Sequence, residues 1–388
     1  MSFTIPKSIV AFLHRLEAAG YQAFLVGGCV RDGLLNLEPH DWDVCTDALP
    51  DELTVLFPNA LTYGMRHGTV SVKWDNFIIE VTTFRSEGIY TDHRRPDHVS
   101  FIKDLREDLA RRDFTVNAIA MDADGRLHDP FSGEQDLRAG VIRAVGFPEL
   151  RFREDALRML RAIRFSAQLG FKITEETQNA IQSCSSLTAN LSAERVAQEI
   201  EKTLLTVRPS YIADMVSFGL LKNWLPVSVL NKAEKLNHLS RERIRRWCGF
   251  CLLQSVCEDM LRRLRLDRKT IRIYSCCSSI RSQNSRNKLF WKQAIHLYGK
   301  EAAVIAAEVI SALDDTDDEQ ILHSVVSHGD CCMISELAIN GSDMKMIGLS
   351  GKEIGSALEA ALRHVWQFPD QNEYDVLLNF VKRNYGHG

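Results

Sequence analysis

The sequence predicts an α+β protein, with a mixed β-sheet and helices in the N-terminal part and an all-helical remainder. Three observations predict it. Strand-like segments alternate with short helices before about residue 150, no convincing strand follows that point, and residues 154–169 carry a helical period that stops at Gly170. Glycine suits the left-handed position just past a helix C-terminus. Taken in chain order, Phe24-Leu25-Val26 is an apolar run that breaks into Gly27-Gly28, with Arg31 and Asp32 following. That pattern reads as a buried strand, a glycine turn where backbone can approach a phosphate, and a helix start. Residues 69–72 (TVSV) and 77–84 (FIIEVTTF) are β-branched runs separated by Asp75-Asn76, which predicts a hairpin. Residues 85–100 are polar, contain Gly88 and Pro96, and read as a mobile loop.

The length of 388 residues, with 45% apolar and 25% charged side chains, allows two to four domains. No apolar run approaches the ~20 residues needed to span a membrane. The N-terminal MSFTIPKSIV has neither the basic stretch nor the apolar core of a signal peptide, so no membrane partner is expected. Ten cysteines without a framework point to a reducing, cytoplasmic setting. Trp247-Cys248-Gly249-Phe250-Cys251 has the form of a redox loop, but such a loop follows a strand and opens a helix. Here the flanks RERIRRW and CLLQSVCEDMLRRL are helical throughout, so both cysteines read as core residues. Cys276-Cys277 and Cys331-Cys332 lack partners at zinc-site spacing. The net charge of −4 conceals a segregation: residues 231–300 carry 17 Lys/Arg against 5 Asp/Glu, and residues 301–388 carry 5 against 15. The basic segment is either a footprint for a phosphate backbone or a solvated helical face.

Chemistry concentrates at two places. Asp41 and Asp43, followed by Val44, lie one residue apart in a strand-like context, so both carboxylates point the same way. Two convergent carboxylates suit Mg²⁺, which keeps several waters and fills its other positions with substrate phosphates. Beside the Gly27-Gly28 turn they form the minimum apparatus for nucleotidyl transfer; a surface Asp-x-Asp in a turn is the alternative. Glu80, among apolar neighbours in FIIEVTTF, is either a third acidic group near that pair or a salt-bridged structural carboxylate. In the predicted helix 154–169, Asp155, Arg158, Arg161 and Arg164 recur every third position and form a polar stripe opposite Leu157, Leu160, Ile163 and Ala167. Pairing with Glu154 and Asp155 neutralises at most part of that stripe, leaving a guanidinium surface suited to phosphates and base edges.

Beyond these residues, the chain resembles the class II tRNA nucleotidyltransferase/poly(A) polymerase family, and within it the bacterial CCA-adding enzymes. The matching motifs are GGCVRD at 27–32, DWD at 41–43, HGTV at 67–70, EVTTFR at 80–85 and RRPDHVSF at 94–101. They continue with EDLARRDFTVNAIA at 107–120, DPFSGEQDL at 129–137, RFREDALRMLRAIRF at 151–165 and AERVAQEIEK at 193–202. LAINGSDMKMIGLSGKEIGSAL at 337–358 resembles the tail, whereas the basic middle segment matches only in helical character. Trp42 stands where many relatives carry a smaller apolar residue and should face away from the carboxylates.

The resemblance implies a head, neck, body and tail: a catalytic nucleotidyltransferase head over 1–145, a helical neck for base recognition over 146–205, and a helical, tRNA-binding body and tail over 206–388. It implies that Asp41 and Asp43 are the catalytic pair and hold Mg²⁺, that Gly28, Arg31 and Arg112 meet the triphosphate, and that Asp113 keeps its motif and the neck in register. Asp155 and Arg158 are implied to read the base, and Arg161 and Arg164 to bind nucleotide phosphate or sugar. The implied partners are the 3′ end and the acceptor and elbow regions of tRNA, with ATP and CTP as substrates. Hydrogen-bond chemistry agrees with the implied template. Cytosine and adenine each present an amino donor beside a ring acceptor, which match a carboxylate beside a guanidinium. Guanine and uracil reverse both groups and leave buried polar atoms unpaired, at ~1–3 kcal/mol each.

Three readings follow: a complete CCA-adding enzyme; a specialised CC-adding or A-adding relative or a poly(A) polymerase; and a non-catalytic RNA-binding protein. CC-adding forms lack part of the loop that is intact here at 85–101, poly(A) polymerases of the family usually end in a basic extension, and a non-catalytic relative would have lost a metal ligand.

Overall fold

The computed structural model describes residues 4–65, 68–87, 99–225 and 229–385. Residues 88–98, which hold most of the expected loop and part of RRPDHVSF, lie outside the described residues, as does His67 of HGTV. The chain divides into two compact units, Met1–Leu230 and Asn231–Gly388.

The first unit opens with α1 (Lys7–Ala18), β1 (Ala23–Val26), α2 (Gly28–Leu34), β2 (Trp42–Thr46) and α3 (Pro50–Leu56). The hairpin strands β3 (Thr69–Trp74) and β4 (Phe77–Thr83) follow, joined at Asp75, whose φ is +49°. The ends of the expected loop are themselves paired: β5 (Arg85–Glu87) and β6 (Val99–Phe101) form an antiparallel ladder. Then come α4 (Leu105–Ala110), β7 (Ala120–Met121), β8 (Leu127–His128), α5 (Gly133–Ala139) and β9 (Val141–Ile142). The mixed sheet runs in the order β3-β4-β2-β1-β7-β8, with β2 and β4 parallel and the other neighbours antiparallel. Period-2 burial explains its register. Val70, Val72, Ile79 and Val81 are buried on one face, whereas Lys73, Ile78 and Glu80 are exposed on the other. Helix α1 buries Ile9, Phe12, Leu13 and Leu16, and Phe12 stacks on Phe57 with ring centroids 4.8 Å apart.

The helical part of this unit holds α6 (Pro148–Glu154), α7 (Leu157–Leu169), α8 (Glu175–Cys184), α9 (Ala193–Leu204) and α10 (Ile212–Ser217). Two expectations need correction here. The helix predicted over 154–169 is broken: Asp155 is extended (φ −141°), and its Oδ1 accepts from the Leu157 N–H at 3.0 Å, so it starts a new helix instead of sitting inside one. A strand also follows residue 150, because β10 (Lys172–Ile173) pairs in parallel with β9. Two residues are too few to show a period.

The second unit contains α11 (Arg243–Gln254), α12 (Glu258–Arg263), α13 (Arg268–Arg281), α14 (Lys288–Tyr298) and α15 (Lys300–Asp314). It ends with α16 (Asp318–Ser327), α17 (Gly341–Met346), α18 (Lys352–Gln367) and α19 (Tyr374–Tyr385). Trp247, Cys248, Gly249, Phe250 and Cys251 are all buried inside α11, as expected of a core segment. Gly249 is a packing requirement, since a Cβ there would collide with the Leu239 side chain. The charge segregation closes on itself. Lys269 pairs with Glu301 (2.6 Å), Arg281 with Asp314 (2.7 Å), Arg286 with Asp318 (2.9 Å) and Lys292 with Asp330 (2.9 Å). Lys235–Asp315 and Arg245–Glu308 add two more pairs. Six of the seventeen cations of the basic segment are thus held by acids of the segment that follows.

Asp318 is the buried one of these acids. It accepts from Arg286 Nε at 3.0 Å, Trp291 Nε1 at 3.3 Å and Thr316 Oγ1 at 2.6 Å. Replacing Asp318 with Ala strands a buried guanidinium and an indole N–H, and should lower the unfolding free energy by on the order of 3–5 kcal/mol. Asp315→Asn removes the charge of an exposed acid and keeps a side chain that tolerates the left-handed backbone at this position (φ +56°), so it should leave the urea midpoint near wild type. Equal losses in the two variants would show that burial does not set the strength of these pairs.

Candidate active site

A single cavity of about 990 Å³ in the first unit is lined by Gly28, Arg31, Asp41, Asp43, Arg112, Asp155, Arg158, Arg161 and Arg164. The site residues anticipated from sequence thus meet in one place, although they come from separate stretches of chain. Nine Lys/Arg against six Asp/Glu line the cavity, a positive balance that complements a polyphosphate.

The acidic wall is built by the sheet. Parallel pairing of β2 with β4 sets Asp43 beside Glu80, and Asp41 stands just ahead of β2. Trp42 turns to the opposite, buried face and packs edge-on against Phe77 at 6.1 Å. Burial raises the Asp43 carboxyl; Glu80 adds to this, Arg112 opposes it, Asp41 adds again, and the result is about 6. Like charges held this close favour a divalent cation, which relieves the repulsion. No group of three or more His, Cys, Asp or Glu among the described residues is assembled to hold a metal alone, so phosphate oxygens and water would complete the coordination. Glu80 is not the buried carboxylate its neighbours suggested. Strand alternation turns it to the exposed face, and it makes no ion pair among the described residues.

Between the walls lies Gly27, with φ +76°. A Cβ at this position would stand 3.4 Å from Arg112 Nη1 and 3.7 Å from Asp43 Oδ2. Glycine both permits the turn and keeps the gap between cation and carboxylate open.

The basic wall is a chain of anchored guanidiniums. Arg31, 4% exposed, donates from Nη1 to Asn117 Oδ1 at 2.7 Å and from Nε to Asp32 at 2.8 Å. Asn117 Nδ2 in turn donates to Asp113 Oδ1 at 3.1 Å, and Arg161 donates to Asp113 Oδ2 at 2.7 Å. Burial alone would raise the Asp113 carboxyl, but Arg161 and the Asn117 hydrogen bond outweigh it and hold the group near 2. Arg111 and Arg112 both grip the buried Asp108, at 2.8 and 3.2 Å. Arg164 pairs with buried Glu199 at 2.6 Å, and Arg158 with Glu154 at 2.6 Å. The Phe165 ring lies under three of these cations, 5.1 Å from Arg31, 5.3 Å from Arg161 and 4.0 Å from Arg164. As expected, the neighbours Glu154 and Asp155 neutralise only part of the arginine stripe, namely Arg158, but the stripe is not left as an unpaired guanidinium surface, because distant acids pair the rest. Glu154 ends the preceding helix α6, and Asp113 and Glu199 come from distant stretches of chain.

The chain is similar to known proteins in sequence and fold. A family model described as "Poly A polymerase head domain" matches residues 23–143, one described as "Probable RNA and SrmB- binding site of polymerase A" matches 170–230, and a third, for domain 2 of tRNA nucleotidyltransferases, matches 240–381. The CCA-adding enzyme of Geobacillus sp. (strain WCH70) is 38% identical over 374 residues, which cover 92% of this chain and 93% of that protein. The chain belongs to the CCA-adding enzyme family. The CCA-adding enzyme of Enterococcus faecalis (strain ATCC 700802 / V583) is 35% identical over 409 residues, covering 99% of this chain and 98% of that protein. The crystal structure of the Bacillus stearothermophilus CCA-adding enzyme in complex with CTP is similar with a TM-score of 0.83 and 32% identity, over 98% of each chain.

Sequence reasoning missed the residues that hold this family's site in shape. Arg195 donates to Asp155 Oδ2 at 2.7 Å, and its Nη1 is buried without a hydrogen-bond partner. Arg195 and Lys202 of α9 line the cavity, and Glu199 of the same helix holds Arg164. Their i, i+4, i+7 spacing was a signal that could have found them.

Asp113 carries a pH signature. A carboxyl whose folded pKa is depressed contributes stability above its unfolded pKa, near 4, and loses it as pH falls toward about 2. Asp113→Asn should cost on the order of 2–3 kcal/mol at neutral pH and flatten the fall of stability between pH 4 and 2. An unchanged acid limb in denaturant titrations would remove Asp113 from this role.

Proposed function

We infer that this protein adds CCA, without a nucleic-acid template, to the 3′ end of tRNA, using CTP and ATP. The observation that carries this reading is the single cavity in which the Asp41–Asp43 pair faces Arg31 and Arg112 across the Gly27-Gly28 turn, with Asp155 and Arg158 in the same lining. Family membership over nearly the whole chain supports it. No helix among the described residues is long and apolar enough to cross a membrane, and the ten cysteines are all free, which supports a cytoplasmic setting.

In this reading residues 1–145 form the catalytic head, 146–205 the neck and 206–388 the tRNA-binding body and tail. Asp41 and Asp43 would hold Mg²⁺, whose chemistry when bound is to neutralise the triphosphate and acidify the tRNA 3′-hydroxyl. Gly28 leaves room for the triphosphate, and Arg31 and Arg112 meet its oxygens. Because Arg31 is fixed by Asn117 and Asp32, it binds phosphate without a large loss of side-chain freedom. Asp155 accepts from the exocyclic amino group of the base, and Arg158 donates to its ring acceptor. Arg161 and Arg164 bind nucleotide phosphate or sugar from the same helix. The order of these donors and acceptors admits C and A and leaves G and U with unpaired buried groups.

Incubation with tRNA lacking its last three nucleotides tests the reading. CTP alone should extend it by two residues, and CTP with ATP by three. Failure to add A would indicate a CC-adding enzyme, and extension only of tRNA already ending in CC an A-adding one.

Three substitutions test the residue roles. Asp41→Ala or Asp43→Ala should reduce nucleotide addition by at least about a thousandfold and leave tRNA binding largely intact; near wild-type turnover in either variant would sink the metal assignment. Arg158→Ala should lower C and A addition and relax discrimination against U and G by roughly ten- to a hundredfold. A merely structural Arg158 would lower rate and stability together and leave base preference as it was.

A further inference from the structure

Many cations of the basic segment are tied to acids, but Arg268 and Arg272 make no ion pair among the described residues. They stand one turn apart on α13 and are both exposed. Both line an open groove of about 620 Å³ in the second unit, with Arg262 of α12 at its edge. Leu266, Ile271 and Tyr298 supply its apolar surface. The one carboxylate in the lining, Glu258, is already held by Arg262 at 2.8 Å and by the Ser275 hydroxyl. It therefore cancels Arg262, and no carboxylate of the lining pairs with Arg268 or Arg272, although Glu301, which is paired with Lys269, lies within electrostatic reach of Arg272.

We propose that this groove holds one unstacked nucleotide of the bound tRNA, with the base against Tyr298 and the apolar floor and the two flanking phosphates on Arg268 and Arg272. The chemistry favours this occupant. A purely apolar ligand would leave two guanidiniums unused, and a simple anion would leave the floor unused. A nucleotide within a strand uses both, because each base has a stacking face and each linkage a charge. Two guanidiniums about 6 Å apart along a helix can each take one of two successive phosphates, whereas a free nucleotide offers its charge at one end only. The proposal rests on the tRNA reading above and adds to it a site for a particular kind of RNA feature, an extruded base.

The test uses the full-length protein and tRNA lacking CCA, with no CTP or ATP present. Equilibrium binding is measured across a salt series. The double variant Arg268→Gln/Arg272→Gln should reduce the slope of log K against log salt by about 1.4, that is ~0.7 for each single-stranded phosphate that is no longer neutralised. Tyr298→Leu should weaken binding about tenfold at fixed salt without changing the slope, and Tyr298→Phe should restore it. In extension assays at saturating tRNA, kcat and the KM for CTP should match wild type, which a general loss of folding would not allow. Wild-type slope and affinity in the double variant would overturn the proposal. So would loss of a CMP-binding equivalent in the double variant with tRNA binding unchanged, since that would assign the groove to free nucleotide. If the wild-type protein itself fails to extend tRNA, the functional reading falls; if it extends tRNA and these variants bind as wild type does, only this inference falls.

Discussion

A carboxylate buried as deeply as Asp113 stays ionised only while cations and N–H donors surround it, and the basic side of the cavity is organised by meeting that condition. Its Oδ2 takes Arg161 from α7, while its Oδ1 takes the Asn117 amide, whose own oxygen takes Arg31 from α2. One buried charge thus fixes two arginines from elements more than a hundred residues apart in sequence. The bonds reinforce one another, because each polarises the next in a medium of low dielectric. Phe165 completes the arrangement from below, as its ring face accepts three guanidiniums without adding a charge. Lysine would not serve in these places, because it lacks the planar fork that lets Arg31 hold Asn117 and Asp32 together.

The same device recurs wherever charge is concentrated. Arg111 and Arg112 would repel each other if Asp108 did not lie between them, fully buried and accepting from both. Asp43 is the opposite case: burial first, and then its acidic neighbours Glu80 and Asp41, raise its proton affinity against the pull of Arg112. Satisfied charges make a stable wall; crowded like charges make a place for a cation. In the second unit the rule is applied to structure, where Asp318 gathers Arg286, Trp291 and Thr316 at a buried point.

Local chemistry was legible in the sequence, and long-range pairing was not. The Phe24–Val26 run, the Gly27-Gly28 break and the 69–84 hairpin could be read because strand period and turn residues are written within a few positions. The opposite face of Trp42 followed from the same period. The break at Asp155 was hidden because its cause is a side-chain oxygen capturing the Leu157 N–H, which competes with a helical pattern that otherwise continues. The anchoring of Arg164 was hidden because Glu199 lies 35 positions away, whereas the tie from Asp113 to the neck helix, 48 positions from Arg161, was expected only through the family resemblance. The charge segregation misled for the same reason: a net charge over seventy residues cannot say whether the opposite charge lies in solvent, in RNA or in the next helices.

If Asp155 and Arg158 read the base as proposed, base choice would depend on how firmly the two groups are held. Asp155 has one oxygen on the Leu157 N–H and the other on Arg195, while Arg158 is fixed by Glu154, the Arg151 carbonyl and the Arg111 carbonyl at 2.8 Å. A carboxylate offers about four lone-pair sites, so two bonds leave room for a base amino group without releasing the anchors. A loosely held pair could rotate to exchange donor for acceptor and accommodate guanine or uracil at small cost. An anchored pair would have to break buried charge-assisted bonds first, each stronger than a neutral hydrogen bond. In the proposed role, discrimination would depend on Arg195 and Glu154, which hold Asp155 and Arg158, as much as on the residues that face the base, and would need no nucleic acid to supply it.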